Sequence, residues 1–166
     1  KQPTRGLARF LEFCQSPASA WPSLWLGLSR RDSDPGRFLE RLLDGLQEYF
    51  PDMGSQALAQ LKMRQRHQPF AFDAWLGEWL DELAGQLAPD ARLLLVLDDY
   101  HLAQGPVLDS CLQFLLNHLP EGLVLLVTSR QRPEWHLARL RLSRQLVELG
   151  EQDLRLTPAE CRAVLG

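Results

Sequence analysis

Cysteine is scarce in this sequence, and its few copies are far apart. The 166 residues contain three, Cys14, Cys111 and Cys161, and no two of them form a CxxC pair. An odd number of widely spaced cysteines suggests neither a disulfide framework nor a zinc site. Such sparse use suits a reducing compartment, so we predict a cytoplasmic protein.

Membrane-spanning runs and an excess of positive charge are missing as well. No apolar run approaches the ~20 residues of a membrane span and no signal peptide is visible, so we expect no membrane partner. The formal net charge of -3 argues against a domain whose main surface binds nucleic acid through phosphate contacts. The chain begins at Lys1 without a methionine, so we expect a fragment of a larger protein.

The strongest feature that is present is an apolar run that ends in two carboxylates. Residues 93–97 read LLLVL without alternation, and Asp98 and Asp99 follow directly. Such a run predicts a strand buried on both faces of a parallel sheet. Open α/β sheets bind ligands at the carboxyl ends of their strands, where two acids can hold a hydrated Mg²⁺ and polarise a water. The alternative is a strand that ends in a solvated Asp-Asp turn.

Strands and helices alternate along the rest of the chain. Apolar runs predict strands at 24–28 and 123–127, with a shorter and more exposed one at 146–149. Helical spacing of apolar residues predicts helices at 7–14, 35–50, 73–87, 106–119 and 135–142, a short one near 58–63, and one starting at Thr157. This alternation predicts an α/β fold of three layers, a parallel sheet flanked by helices on both faces.

The predicted topology brings polar residues from two strand ends together. Right-handed crossovers place the ends of the strands at 93–97 and 123–127 on the same edge of the sheet. Asp98, Asp99, Ser129 and Arg130 are then expected to face one crevice. That set offers carboxylates for a metal and a guanidinium, which binds phosphate oxygens bidentately.

Three strings in this order resemble the NTPase domain of MalT-like transcriptional regulators: LLLVLDDYHL, LLNHLPEGLVLLVTSR and LARLRLSRQLVELGEQDLRLTPAE. These regulators are LuxR-type activators in the STAND class of P-loop NTPases. Upstream, WLGLSRRDSDPGRFLERLLDGLQ is similar to the segment that follows the first sheet strand of the family. The resemblance runs from about Trp25 to Leu165, and VLDDYH followed by VTSR is far more specific than either string alone.

The resemblance implies roles for individual residues. Asp98 would hold Mg²⁺, Asp99 would polarise the attacking water, and Arg130 would contact the terminal phosphate of ATP. His101 belongs to the family's DDYH string, but no chemical role follows for it. The resemblance also implies a single P-loop NTPase-like domain over residues 1–166, with ATP and Mg²⁺ as cofactors. Its partners would be other domains of the same regulator and a second copy, with DNA bound only through a C-terminal domain absent from this chain.

The sequence departs from the family at its phosphate-binding loop. A P-loop needs GxxxxGK followed by Ser or Thr, because glycine amides cradle the phosphates and the lysine reaches their oxygens. No such string occurs here. In family register, Pro3 takes the lysine position and Thr4 the hydroxyl position, and proline has neither a charge nor an amide hydrogen. Either the loop is degenerate or a tag or cloning boundary has replaced it.

Several alternatives stay open. One is a hydrolytic triad of Ser129, His101 and Asp98 or Asp99, against which stands the lack of a GxSxG elbow around the serine. Trp75 and Trp79, at i and i+4, are core residues or else an exposed aromatic ligand site. At the level of function, the main alternative is a domain that binds no nucleotide and acts as a structural or protein-interaction module. A stand-alone P-loop-fold enzyme such as a kinase is weaker, because no substrate site is visible.

Overall fold

The computed structural model describes residues 21–51, 53–64 and 72–151. The chain divides into two compact units, Trp21–Trp135 and the combination of Lys1–Ala20 with His136–Gly166. The helices predicted at 7–14 and from Thr157 fall outside the described residues. The single domain over residues 1–166 stays a prediction.

Three parallel strands form the centre of the Trp21–Trp135 unit. They are β1 (Ser23–Gly27), β2 (Leu93–Asp98) and β3 (Leu123–Val127), in the spatial order β1-β2-β3. Leu24 lies beside Leu95, which lies beside Leu125, so the three strands are in step. The parallel sheet with flanking helices that the sequence predicts is therefore confirmed.

Four helices of this unit connect the strands. They are α1 (Pro35–Leu46), α2 (Ser55–Arg64), α3 (Phe72–Gln86) and α4 (Pro106–Asn117). Because both crossovers progress in the same direction along the sheet, right-handed connections place these helices on the same face. Their apolar side chains join Leu93, Leu95 and Leu97 of β2 in one core cluster.

Strand β2 is the most buried element of the sheet. Leu93 to Leu97 are each at most 1% exposed, including Leu94 and Val96, whose side chains point to the opposite face. The prediction of a strand buried on both faces is confirmed for β2. The outer strands are more accessible: Trp25 of β1 is 40% exposed, and every residue of β3 after Leu123 is only partly buried.

Helix α1 begins where its sequence signals place it. Asp34 caps the helix, its carboxylate accepting a hydrogen bond from the Gly36 amide at 2.9 Å, and Pro35 occupies the first turn. The helix ends at Leu46, earlier than the apolar spacing predicts.

Trp75 and Trp79 of α3 are 3% and 1% exposed, which confirms them as core residues.

The prediction of a strand at 146–149 is wrong. These residues form no strand in the structure, and Val147 and Leu149 are 83% and 61% exposed. A strand needs a hydrogen-bonded neighbour, which a short apolar run does not supply by itself. The helix predicted at 135–142 is shorter than expected and forms α5 (Ala138–Leu142). Among the described residues, no helix is both long and apolar enough to cross a membrane.

A buried carboxylate ties the end of β1 to α1. Asp32 is the one charged residue found buried in the described part of the chain, at 1% exposure. Its Oδ2 accepts hydrogen bonds from the Ser29 amide at 2.8 Å and the Ser29 hydroxyl at 2.7 Å. Its Oδ1 lies 2.8 Å from Nη1 of Arg41, whose Nη2 donates to the Gly27 carbonyl at 3.1 Å. The carboxylate thus fixes the turn that follows β1.

We expect Asp32→Asn to lower the free energy of unfolding by about 2 kcal/mol, because an amide satisfies fewer of these donors than a carboxylate. Burial alone raises the pKa of Asp32, but the bonds from Arg41 and Ser29 outweigh it and the pKa is lowered. A lowered pKa means that the stabilisation is fully present above the ordinary value of 3.8 and is lost as the pH falls below it. Urea titrations at neutral and acidic pH measure both effects.

Asp34→Asn is the matched control, because asparagine caps a helix as well as aspartate does. It should leave stability unchanged within about 0.5 kcal/mol. A similar loss in both variants, or an Asp32→Asn loss that does not shrink at low pH, would contradict the role assigned to the Asp32 carboxylate.

Candidate functional site

The carboxyl ends of the three strands meet at one edge of the sheet. Asp98 pairs in register with Gly27 of β1, and its carbonyl accepts a hydrogen bond from the Leu28 amide at 2.8 Å. On the other side, the Thr128 amide donates to the Leu97 carbonyl at 3.0 Å. The predicted juxtaposition of the ends of β2 and β3 is therefore present.

Thr128 is the residue that joins the two strand ends most closely. Its hydroxyl donates a short hydrogen bond to Oδ1 of Asp98 and accepts one from the Asp99 amide at 3.0 Å. Its carbonyl accepts from the Tyr100 amide at 2.9 Å. Sequence reasoning passed over Thr128 in favour of Ser129 and Arg130. The sequence feature that could have identified Thr128 is its position as the first polar residue after β3.

Asp99 has an unusual backbone conformation. Its φ and ψ of 57° and 39° lie in the left-handed region, which non-glycine residues seldom adopt, although aspartate and asparagine tolerate it better than most. Hydrogen bonds to Asp98 Oδ1 at 3.1 Å and to Thr128 Oγ1 hold the Asp99 amide in this turn. The turn directs the chain away from the strand, and the Asp99 side chain remains 29% exposed. Locally unfavourable conformations of this kind cluster at functional sites.

Tyr100 attaches the Asp99 turn to the core. It is fully buried, its hydroxyl donates a short hydrogen bond to Oδ1 of Asp109 in α4, and its ring lies 4.8 Å from the ring of Trp135. Burial, reinforced by the negative charge of Asp109, raises the pKa of Tyr100, so the phenol stays a neutral donor at any physiological pH. Asp99 is thereby attached to a rigid part of the core.

His101 lies between the Asp99 turn and the segment after β3. Its Nδ1 accepts a hydrogen bond from the Arg130 amide at 3.5 Å and is 4.0 Å from Oδ1 of Asp99. Its side chain is 13% exposed. The Arg130 side chain itself is on the surface of the same edge of the sheet. Asp98, Asp99 and Arg130 are thus brought to one edge, as the sequence predicts.

The geometry does not favour a hydrolytic triad. The Ser129 hydroxyl donates to the Gln131 carbonyl at 2.5 Å and accepts from the Gln131 amide at 3.3 Å, so it is bonded within its own turn. His101 Nδ1 faces the Arg130 amide instead of the serine. A nucleophilic serine needs its hydroxyl bonded to the base.

Asp98 is the carboxylate at this edge of the sheet that could hold a metal ion. Within residues 21–51, 53–64 and 72–151, no three His, Cys, Asp or Glu side chains come together as a metal site. Mg²⁺ is typically held by one or two carboxylates, with phosphate and water oxygens as the other ligands. The Asp98 carboxylate, at a strand end and oriented by Thr128, fits that pattern. Thr4, the residue predicted to contact the nucleotide from the first loop, lies outside the described residues.

Comparison with known proteins finds relatives that share one name. No protein-family model matches the chain. Over 138 residues, 83% of its length, the chain is 35% identical to the HTH-type transcriptional regulator MalT of Cronobacter sakazakii. It is 34% identical over 138 residues to the proteins of the same name from Klebsiella pneumoniae and Serratia proteamaculans. The chain spans about 15% of the length of these curated relatives, so the similarity concerns one segment of them.

Proposed function

The chain is a MalT-like domain, as the resemblance in its sequence predicts, and we propose that it is the nucleotide-binding regulatory domain of a transcriptional regulator. The observation that carries this proposal is the polar edge of the sheet. Asp98 and Asp99 end the central strand, Thr128 holds both of them, and Arg130 follows on the neighbouring strand. Open α/β sheets bind their ligands at this edge.

Each of these residues has a role in the proposed chemistry. Asp98 would hold a Mg²⁺ ion, whose charge would offset that of the ATP phosphates. Asp99 accepts a hydrogen bond from the water that attacks the terminal phosphate, and its fixed backbone keeps the carboxylate in place. The Arg130 guanidinium contacts the terminal phosphate, where a planar fork of donors matches the oxygens. Thr128 orients the Asp98 carboxylate and fixes the backbone amide of Asp99.

The regulatory part of the proposal concerns the whole protein. ATP binding would favour an active form that associates with other copies, and hydrolysis would return the resting form. Partners would be the other domains of the same polypeptide, because the relatives are far longer than this chain. DNA would be contacted by a helix-turn-helix outside this chain, as the net charge of -3 also favours. Such a regulator acts in the cytoplasm.

A second candidate function rests on one specific observation. The sequence has no GxxxxGK string followed by Ser or Thr, and Pro3 stands where the family has its lysine. A domain without that loop would bind no nucleotide and would act as a protein-interaction or structural module. The carboxylates and Arg130 weigh against this candidate, because an interaction module has no need of them.

Titration calorimetry with ATP and Mg²⁺ separates the two candidates. For residues 1–166 alone we expect no measurable affinity, because the phosphate cradle is missing from the sequence. A longer chain that includes a glycine-rich GKS or GKT segment upstream of Lys1 should bind ATP at micromolar concentrations.

The result of the titration is interpreted together with the gene sequence upstream of Lys1. If a GKS or GKT segment is present and the longer chain still fails to bind, the nucleotide-binding function is wrong. If the gene has no such segment, the interaction module becomes the better account. Micromolar binding by residues 1–166 alone would show that the missing loop is not required.

A further inference from the structure

His101 connects two segments that the proposed chemistry uses separately. Its Nδ1 accepts from the Arg130 amide at 3.5 Å, across 29 residues of sequence, and lies 4.0 Å from the Asp99 carboxylate. No role for the imidazole follows from the sequence. The structure therefore offers a function for a residue of the DDYH string that the proposed ATPase chemistry leaves unused.

The backbone holds the imidazole firmly in this position. His101 is the middle residue of a short 3-10 turn, Tyr100–Leu102, which begins directly after Asp99. The turn is anchored on one side by the buried Tyr100 and on the other by the hydrogen bond from the Leu102 amide to the Asp99 carbonyl at 2.9 Å. With 13% of its side chain exposed, His101 has little freedom to leave the contact.

Arg130 is on a much less constrained segment. It follows Thr128, which is fixed by its bonds to Asp98 and Asp99, but Arg130 itself is exposed and belongs to a surface turn. The hydrogen bond to His101 therefore extends the attachment of this segment by two residues beyond Thr128. It sets where the Arg130 backbone lies relative to the Asp99 carboxylate.

We propose that His101 is a positioning residue that couples Arg130 to the Asp99 turn, so that a phosphate contact at Arg130 is transmitted to the carboxylate that polarises water. The functional half of this inference rests on the nucleotide-binding function proposed above, whereas the contact between His101 and Arg130 does not. His101 acts as a hydrogen-bond acceptor. Accepting the amide hydrogen at Nδ1 requires the tautomer whose ring proton is on Nε2.

A matched pair of substitutions tests the hydrogen-bond acceptor that His101 provides. His101→Asn places a carbonyl oxygen close to the position of Nδ1, and His101→Leu has a similar size but no acceptor. Both are measured on residues 1–166 by hydrogen exchange of the Arg130 amide, which requires no nucleotide. We expect about tenfold faster exchange in the leucine variant, the effect of losing one hydrogen bond, and near-native exchange in the asparagine variant.

The second measurement uses the longer chain with an upstream phosphate-binding segment. His101→Leu should lower kcat for ATP hydrolysis about tenfold with KM nearly unchanged, and His101→Asn should recover most of the loss, because a misplaced arginine affects the transition state more than binding. Equal exchange of the Arg130 amide in all three proteins overturns the positioning role. So does a leucine variant with native kcat. If residues 1–166 show the expected exchange pattern but the longer chain binds no ATP, the proposed function is overturned and the His101 contact is supported.

Discussion

Asp99→Asn is expected to reduce ATP hydrolysis about 1,000-fold in a chain that contains the phosphate-binding segment, while ATP affinity changes little. The neutral amide cannot accept the proton of the attacking water, and removing a group of this kind typically costs between 100- and 10,000-fold in rate. Asparagine is the informative substitution because it also tolerates the left-handed conformation observed at Asp99. A loss of rate would therefore report the carboxylate and not the backbone. Steady-state kcat and KM are the measured quantities.

Asp90→Asn provides the matched control for this experiment. Asp90 is an exposed residue in the turn that precedes β2, at the opposite end of the strand from Asp99. The same change of charge at that end should leave kcat within about twofold of the native value, because exposed charges at this distance are largely screened. Unchanged hydrolysis in Asp99→Asn, or equal losses in both variants, would remove Asp99 from the catalytic role.

The central strand and its carboxylates could be predicted from the sequence because their signals are local. An apolar run without alternation has few explanations other than a strand buried on both faces, and β2 has that environment. The positions of Asp98, Asp99 and Arg130 at one edge then follow from the handedness of crossovers. These predictions required no knowledge of which atoms meet.

Residues whose role depends on a partner could not be predicted in the same way. Thr128 matters because the register places its hydroxyl against Asp98, and a spacing of 30 residues gives no hint of that bond. Asp32, in the polar string SRRDSD, has the sequence environment of a solvated acid, but it is buried and paired with Arg41 of α1. The role of His101 likewise depends on a partner distant in the sequence, the Arg130 amide.

The error at 146–149 has a related cause. A short apolar run favours a strand only if a neighbouring strand supplies hydrogen bonds, and this requirement cannot be read from the run itself. Val147 at 83% exposure is as apolar as Val96 at 0%. The difference between them is their surroundings, which depend on residues distant in the sequence.

Trp79→Ala is expected to produce the largest loss of stability, about 4 kcal/mol in the free energy of unfolding. Trp79 is 1% exposed in the core cluster and is among the largest fully buried side chains of the described residues. Its removal leaves a cavity that the rigid neighbours in α3 cannot fill, so the cost includes lost contacts as well as lost burial. Chemical denaturation with a two-state fit gives the quantity directly.

Trp25→Ala is the matched control, since it removes the same side chain from a site that is 40% exposed. Trp25 of β1 should contribute less, about 2 kcal/mol, because 40% of it remains exposed to water in the folded state. The difference between the two losses measures how much the core position of Trp79 contributes to stability. If Trp79 belonged to an exposed ligand site, its replacement would cost no more stability than that of Trp25. A clearly larger loss for Trp79→Ala instead matches the burial of this side chain in the core.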